Sequence, residues 1–202
     1  MNGKEGGTVL YPLALLLAMA EREHFDVFDR SGEIVDAIRH CVFLTTRRGD
    51  KVNTMAIEWG ALGNLWAKPV FIAFVRRSRF TREMLDANPE FTINIPTGPY
   101  DKKIFKICGG RSGRDVDKVK ETGMTLVDGE KISVPGILEL PMTLECKVVY
   151  RQDQDVSLIP EDIRKRFYPH MPERDHDTDE DDHVVYIGEV VDAYILRRRL
   201  GF

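Results

Sequence analysis

Apolar and polar positions alternate with period two along several stretches of this chain, and each stretch predicts a strand. Residues 41–46 are β-branched and aromatic, residues 48–51 (Arg-Gly-Asp-Lys) read as a turn, and residues 52–57 return. That is a β-hairpin signature. Residues 70–75 form a further strand opened by Pro69, where a missing N–H is tolerated. Residues 91–95 alternate again. In 142–150, Met142, Leu144, Cys146, Val148 and Tyr150 share one face, with Thr143, Glu145 and Lys147 opposite. Residues 184–196 are strongly β and broken only by Gly188.

Helical periodicity is confined to short segments. Residues 33–40 carry Ile34, Val35 and Ile38 on one side, with Ser31 as the expected N-cap. Residues 82–87, 101–108, 115–122 and 159–168 follow, with Gly123 expected just past the fourth and Pro160 in the first turn of the last. Gly60 and Gly63 predict a loop or a close backbone approach, and residues 174–182 a solvated acidic loop. Strands outnumber helices, strict βαβ alternation is missing and no internal repeat is visible. The pattern predicts a mainly β, α+β fold, an antiparallel barrel with peripheral helices.

Composition narrows the function. The 202 residues are 43% hydrophobic, with a formal charge of −4 and a pI of about 5.8. No broad basic face is implied, so nucleic-acid binding is not expected. Basic residues cluster locally instead, at 76–82, 111–120 and 197–199, which suits a small anionic ligand. Three cysteines, Cys41, Cys108 and Cys146, lack close spacing and are read as reduced, buried thiols of a cytoplasmic protein. The apolar run 9–20 ends Ala18-Met19-Ala20 and imitates a secretory signal, but Glu5, Pro12 and the missing disulfide pattern oppose that. It is read as a docking helix in an N-terminal arm, residues 1–32, ahead of a domain over 33–202. It is too short to span a bilayer.

The chemistry concentrates between residues 53 and 81. Both tryptophans, Trp59 and Trp66, lie there, and the strand at 70–75 runs into Arg76-Arg77-Ser78-Arg79-Phe80-Thr81. Three guanidinium forks, two hydroxyls and an approaching helix N-terminus suit a phosphate, although the same residues fit a solvated basic turn. A second glycine-rich basic loop spans 111–115, with Arg114 and, beyond it, Lys118. Together the two loops suit a ligand with a flat aromatic body and a charged tail. His183 opens the last strand and is a weak candidate for a substrate-side group. His176, Asp179, Glu180, Asp181 and Asp182 match no defined metal spacing, so no metal is expected. Rossmann, P-loop, G-x-S-x-G and H-E-x-x-H patterns are missing.

Five ordered motifs carry a family resemblance. They are Asn53-x-Met55, then Trp59-Gly60-x-x-Gly63-x-x-Trp66-x-Lys68-Pro69-Val70, then Val75-Arg76-x-Ser78-Arg79-Phe80-Thr81. Ser112-Gly113-Arg114-Asp115-x-Asp117-Lys118 and His183-x-x-Tyr186-Ile187-Gly188-Glu189-Val190 complete the set. Over roughly residues 33–196 the chain resembles the flavin reductase-like family, particularly its flavoredoxin branch. The resemblance implies an FMN-binding split β-barrel with Greek-key-like antiparallel strands, working as a homodimer with flavin near the interface.

Carried over by position, Arg76, Ser78, Arg79 and Thr81 correspond to an FMN phosphate site. Asn53, Thr54 and Met55 correspond to the strand lining the flavin ring, with Trp59 and Gly60 close by. Ser112, Gly113, Arg114 and Lys118 form a second contributing segment, and His183 a nicotinamide-side residue. Two departures stand out: Glu58 replaces the usual small hydroxyl before Trp-Gly, and Arg77 replaces a common proline. Both bear on redox tuning more than on flavin binding. The implied activity is an NAD(P)H:flavin reductase, with NADH or NADPH delivering hydride to flavin. The alternatives are a flavoredoxin-type electron carrier serving a redox protein partner, and a non-catalytic flavin-binding module.

Overall fold

The computed structural model describes residues 20–169 and 181–198. The expected helix in the run 9–20 lies outside the described residues except for its last position. The elements are β1 (Ala20–His24), α1 (Ser31–His40), β2 (Val42–Arg48), β3 (Lys51–Ile57), β4 (Gly60–Leu65) and β5 (Lys68–Arg76). Then come α2 (Phe80–Ala87), β6 (Glu90–Ile95), α3 (Lys102–Gly110), α4 (Lys118–Thr122), β7 (Leu126–Val127) and β8 (Gly136–Ile137). The long strand β9 (Met142–Asp153), a 3₁₀ turn at Val156–Leu158, α5 (Glu161–Phe167) and the longest strand, β10 (His183–Arg198), complete the chain.

Eight strands form one sheet in the order β3-β2-β6-β9-β10-β5-β4, with β1 added alongside β10. Every pairing is antiparallel. Among the described residues nothing pairs β3 with β4, so the barrel is split rather than closed. β10 organises it. Its first half pairs β5 from His183↔Arg76 to Glu189↔Val70, and its second half pairs β1 on the same side. Register shifts against β9 at Ile187/Gly188 and Val190/Asp192 bend the strand between those halves. Gly188 is obligatory at the bend, because a Cβ there would lie 2.6 Å from the Phe91 ring.

The main core gathers Leu44, Phe71, Phe91, Ile93, Leu144 and Tyr186 inside the barrel. A second cluster, including Phe43, Ile104, Cys108, Ile137 and Leu140, fills the outer side of β2 beneath α3. This second layer explains why both faces of early β9 are buried: Thr143 and Glu145 lie under the 129–136 segment and only Lys147 reaches solvent. Glu145 accepts hydrogen bonds from the N–H groups of Glu130, Lys131 and Ile132 and from the Tyr194 hydroxyl. All three cysteines are free and buried, and burial pushes the Cys41 thiol up to about 12 and Cys108 to about 11.

β1 pairs β10 in the main sheet and Val27 belongs to the main core. Three expectations need correction. Ser31 is the first helical residue and not the cap; Arg30 holds that position without a side-chain bond. Residues 60–65 are a strand and not a loop, since their backbone pairs β5 from Gly60↔Ala73 to Leu65↔Lys68. The helix expected at 115–122 begins only at Lys118, where Asp117 caps it.

Candidate functional site

The anion-suited turn follows directly from β5. Strand pairing with β10 ends at Arg76, and Arg77–Arg79 turn into α2, which starts at Phe80. β3 runs beside this turn because it is the hairpin partner of β2. Asn53 on β3 donates from Nδ2 to the Thr81 hydroxyl at 2.9 Å. The glycine-rich loop after α3 closes the third side. Arg114 there donates to the Ser78 carbonyl at 3.0 Å and to Glu83 at 2.5 Å, tying the two basic loops together.

These elements bound an open cleft of about 850 Å³. Asn53, Met55, Trp59, Arg76, Ser78, Arg79, Thr81, Ser112, Gly113, Arg114, Lys118 and His183 all line it. Segments up to 130 positions apart in sequence therefore meet, since Asn53 and His183 share one wall set. Two expected residues do not line it. Thr54 points into the protein, fully buried, with its hydroxyl 2.9 Å from that of Thr45. Only its backbone serves the site, through its carbonyl. Gly60 borders a smaller neighbouring cavity on the other side of Trp59, with Phe71 packed against it.

Lys118 is the most constrained cation of the site. It is 4% exposed, and Nζ donates to the carbonyls of Thr54 at 3.0 Å and Cys108 at 3.1 Å. Burial lowers its pKa to about 8. It therefore still carries positive charge at neutral pH, at one side of the cleft. Asn53 Oδ1 is buried and accepts no hydrogen bond from the described residues.

The aromatic end is built around His183. Its ring stacks at a tilt on Trp59, with centroids 5.0 Å apart, and Phe167 meets Trp59 edge-on. The Tyr168 hydroxyl donates to Gln154 and lies 3.0 Å from His183 Nδ1. That hydroxyl has one proton, so His183 Nδ1 is the donor to it and Nε2 is left as an acceptor. Burial, then the nearby Arg76 guanidinium, push the His183 pKa down to about 3, so the imidazole is neutral. Arg76 itself lies over the Trp59 and Tyr168 rings.

Several participants were not legible in the sequence. Phe105 and Lys106 of α3 also line the cleft. The reading of 174–182 as a solvated acidic loop fails at its end: Asp181 and Asp182 are both buried. Asp182 takes a bidentate pair from Arg77, at 2.9 and 2.8 Å. Asp181 accepts from the Ser78 N–H at 2.5 Å and from its hydroxyl at 3.1 Å. Pairing with the basic turn offsets the cost of burying these carboxylates. A run of acids aligned opposite a run of arginines was the available signal.

Fold and cleft together define a split-barrel protein with a basic turn and an aromatic wall on one cleft. Residues 36–201 match the flavin reductase like domain, and the chain belongs to that family. Among solved structures it is similar to a flavoredoxin from Methanosarcina acetivorans, at 25% identity and TM-score 0.54, over 77% of this chain and 67% of that one. An FMN-binding domain of a flavin reductases-like enzyme from Shewanella baltica shares the fold at 18% identity and TM-score 0.57, covering 87% and 77%. An NADH:FAD oxidoreductase of Streptomyces globisporus does so at 17% and 0.54, covering 78% and 84%. An uncharacterised protein of Archaeoglobus fulgidus is 31% identical over 50% of this chain and 55% of its own length. The chain thus matches little more than half of that relative.

Proposed function

We propose that the cleft binds FMN and that the protein is a flavin oxidoreductase using NADH or NADPH. One observation carries the reading: a basic turn, a buried lysine and a tryptophan wall converge on one cleft in a flavin reductase-like fold. The residues present fit the cofactor. Ser78, Arg76, Arg79 and Thr81 supply donors for a phosphate. Bound FMN would supply the redox chemistry, accepting hydride from a nicotinamide.

The chain's own part is placement and electrostatics. Lys118, held by two carbonyls, favours added negative charge beside β3. Trp59 offers a flat face, and neutral His183 beside it offers an acceptor without adding a cation. Trp59 and Phe105 keep exposed apolar surface at the cleft, which suits coverage by a second subunit in a homodimer. Light scattering of the purified protein tests that part.

The likeness to a flavoredoxin favours a second reading, an FMN electron carrier between protein partners. Anaerobic titration of FMN-loaded protein with each nucleotide separates the two. Bleaching by NADH or NADPH supports the reductase; bleaching only by a reduced redox protein supports the carrier.

A further inference from the structure

The turn proposed for the phosphate is already engaged by a carboxylate of the same chain. Ser78 gives both its donors to Asp181, N–H to Oδ2 at 2.5 Å and hydroxyl to Oδ1 at 3.1 Å. Arg76 Nη1 donates to the Asp181 carbonyl at 2.6 Å. Asp181 is only 7% exposed. One backbone N–H, one hydroxyl and a neighbouring guanidinium are also what a phosphate takes from such a turn. The backbone at this point is anchored independently. Arg77 N–H donates to the Asp182 carbonyl at 2.9 Å, its guanidinium holds the Asp182 carboxylate, and strand pairing begins at His183↔Arg76. The Asp181 side chain is therefore delivered to Ser78 by a fixed frame.

We propose that Asp181 is an internal competitor for the flavin phosphate, and that it sets how weakly the site prefers FMN over riboflavin. This rests on the flavin reading of the cleft. An anionic phosphate and the Asp181 carboxylate need the same Ser78 donors, and their charges repel at that spacing. Phosphate binding must displace the carboxylate, whereas the ring and ribityl portion of the ligand face other residues. Burial holds the Asp181 carboxyl above its ordinary value even with two Ser78 donors. Burial, not the Ser78 contact, disfavours the charged form there; the two Ser78 donors favour it. The consequence is a loosely held, exchangeable flavin, a co-substrate more than a fixed prosthetic group.

The test is the pair of dissociation constants for FMN and riboflavin, by fluorescence quenching, in wild type, Asp181→Asn and Asp181→Ala. The expected result is FMN affinity at least tenfold tighter in both variants, with riboflavin affinity changed less than twofold. Inorganic phosphate should also compete with FMN at lower concentration in the variants. Unchanged or weaker FMN binding, with riboflavin binding intact, overturns the proposal while leaving the flavin reading in place. If neither flavin binds wild type or variants, and melting shows all three folded, the flavin reading fails and the proposal with it.

Discussion

Gly113 lies so close to Asn53 that a Cβ on the glycine would sit 2.1 Å from Asn53 Oδ1 and 2.8 Å from its Cγ. The second basic loop is therefore seated on the very side chain that reaches Thr81. Gly113→Ala should push Asn53 out of its place and break the 2.9 Å bond to Thr81. Overpacking of this kind costs roughly 1–3 kcal/mol. Urea denaturation should show that loss, and flavin affinity should fall with it. A variant as stable as wild type with unchanged affinity would show that the loop can shift without the site noticing.

Lys118 makes stability depend on alkaline pH. Its folded pKa of about 8 lies below the ordinary lysine value of 10.5, so between those values the unfolded chain holds more protons. Stability carried by this group rises with pH across that window and falls again as pH drops toward 8. Lys118→Met should remove the rise, which is on the order of 3 kcal/mol for a shift of this size. Denaturation curves of both proteins at pH 7.5 and 10 give the difference. Equal pH dependence in the two would place the lysine in water.

The same comparison shows what a linear reading can see. The hairpin at 42–57, the strand into Arg76 and the long last strand follow from alternation, and the basic turn follows from residue type. β4 was hidden because Gly60 and Gly63 resemble loop residues, while its pairing with β5 is a tertiary fact. Its turn is equally unmarked: Trp66 and Ala67 both adopt positive φ, at 53° and 58°, where glycine or asparagine is usual. Asp181 and Asp182 looked like solvent-facing acids because their partners stand a hundred residues earlier. Two runs of opposite charge mark such a pairing, but neither run shows locally that the other is its partner.

Neutral His183 predicts a second pH signature. Its folded pKa of about 3 lies below the ordinary histidine value of 6.5, so protons favour the unfolded chain between these values. The imidazole contribution is intact above pH 6.5 and is lost as pH falls toward 3. Nitrogen NMR of the ring should report the neutral Nδ1–H form throughout pH 5–8. Titration near 6.5 would contradict the buried, Tyr168-bonded placement. Tyr168→Phe should loosen the tautomer preference without unfolding the protein.

Glu145 tests the fold apart from function. Four donors converge on its fully buried carboxylate. Glu145→Gln replaces one acceptor oxygen by a donor facing other donors. The loss should be about 2–4 kcal/mol by urea denaturation. A cost below about 0.5 kcal/mol would mean that water serves the 130–132 backbone instead.

The most direct measurement is an anaerobic titration of FMN-loaded protein with NADH and, separately, NADPH, followed by visible absorption. The flavin reductase account predicts that one of them bleaches the flavin band in near-stoichiometric amounts. A protein that takes up no flavin, or a bound flavin whose band persists with both nucleotides, would contradict it.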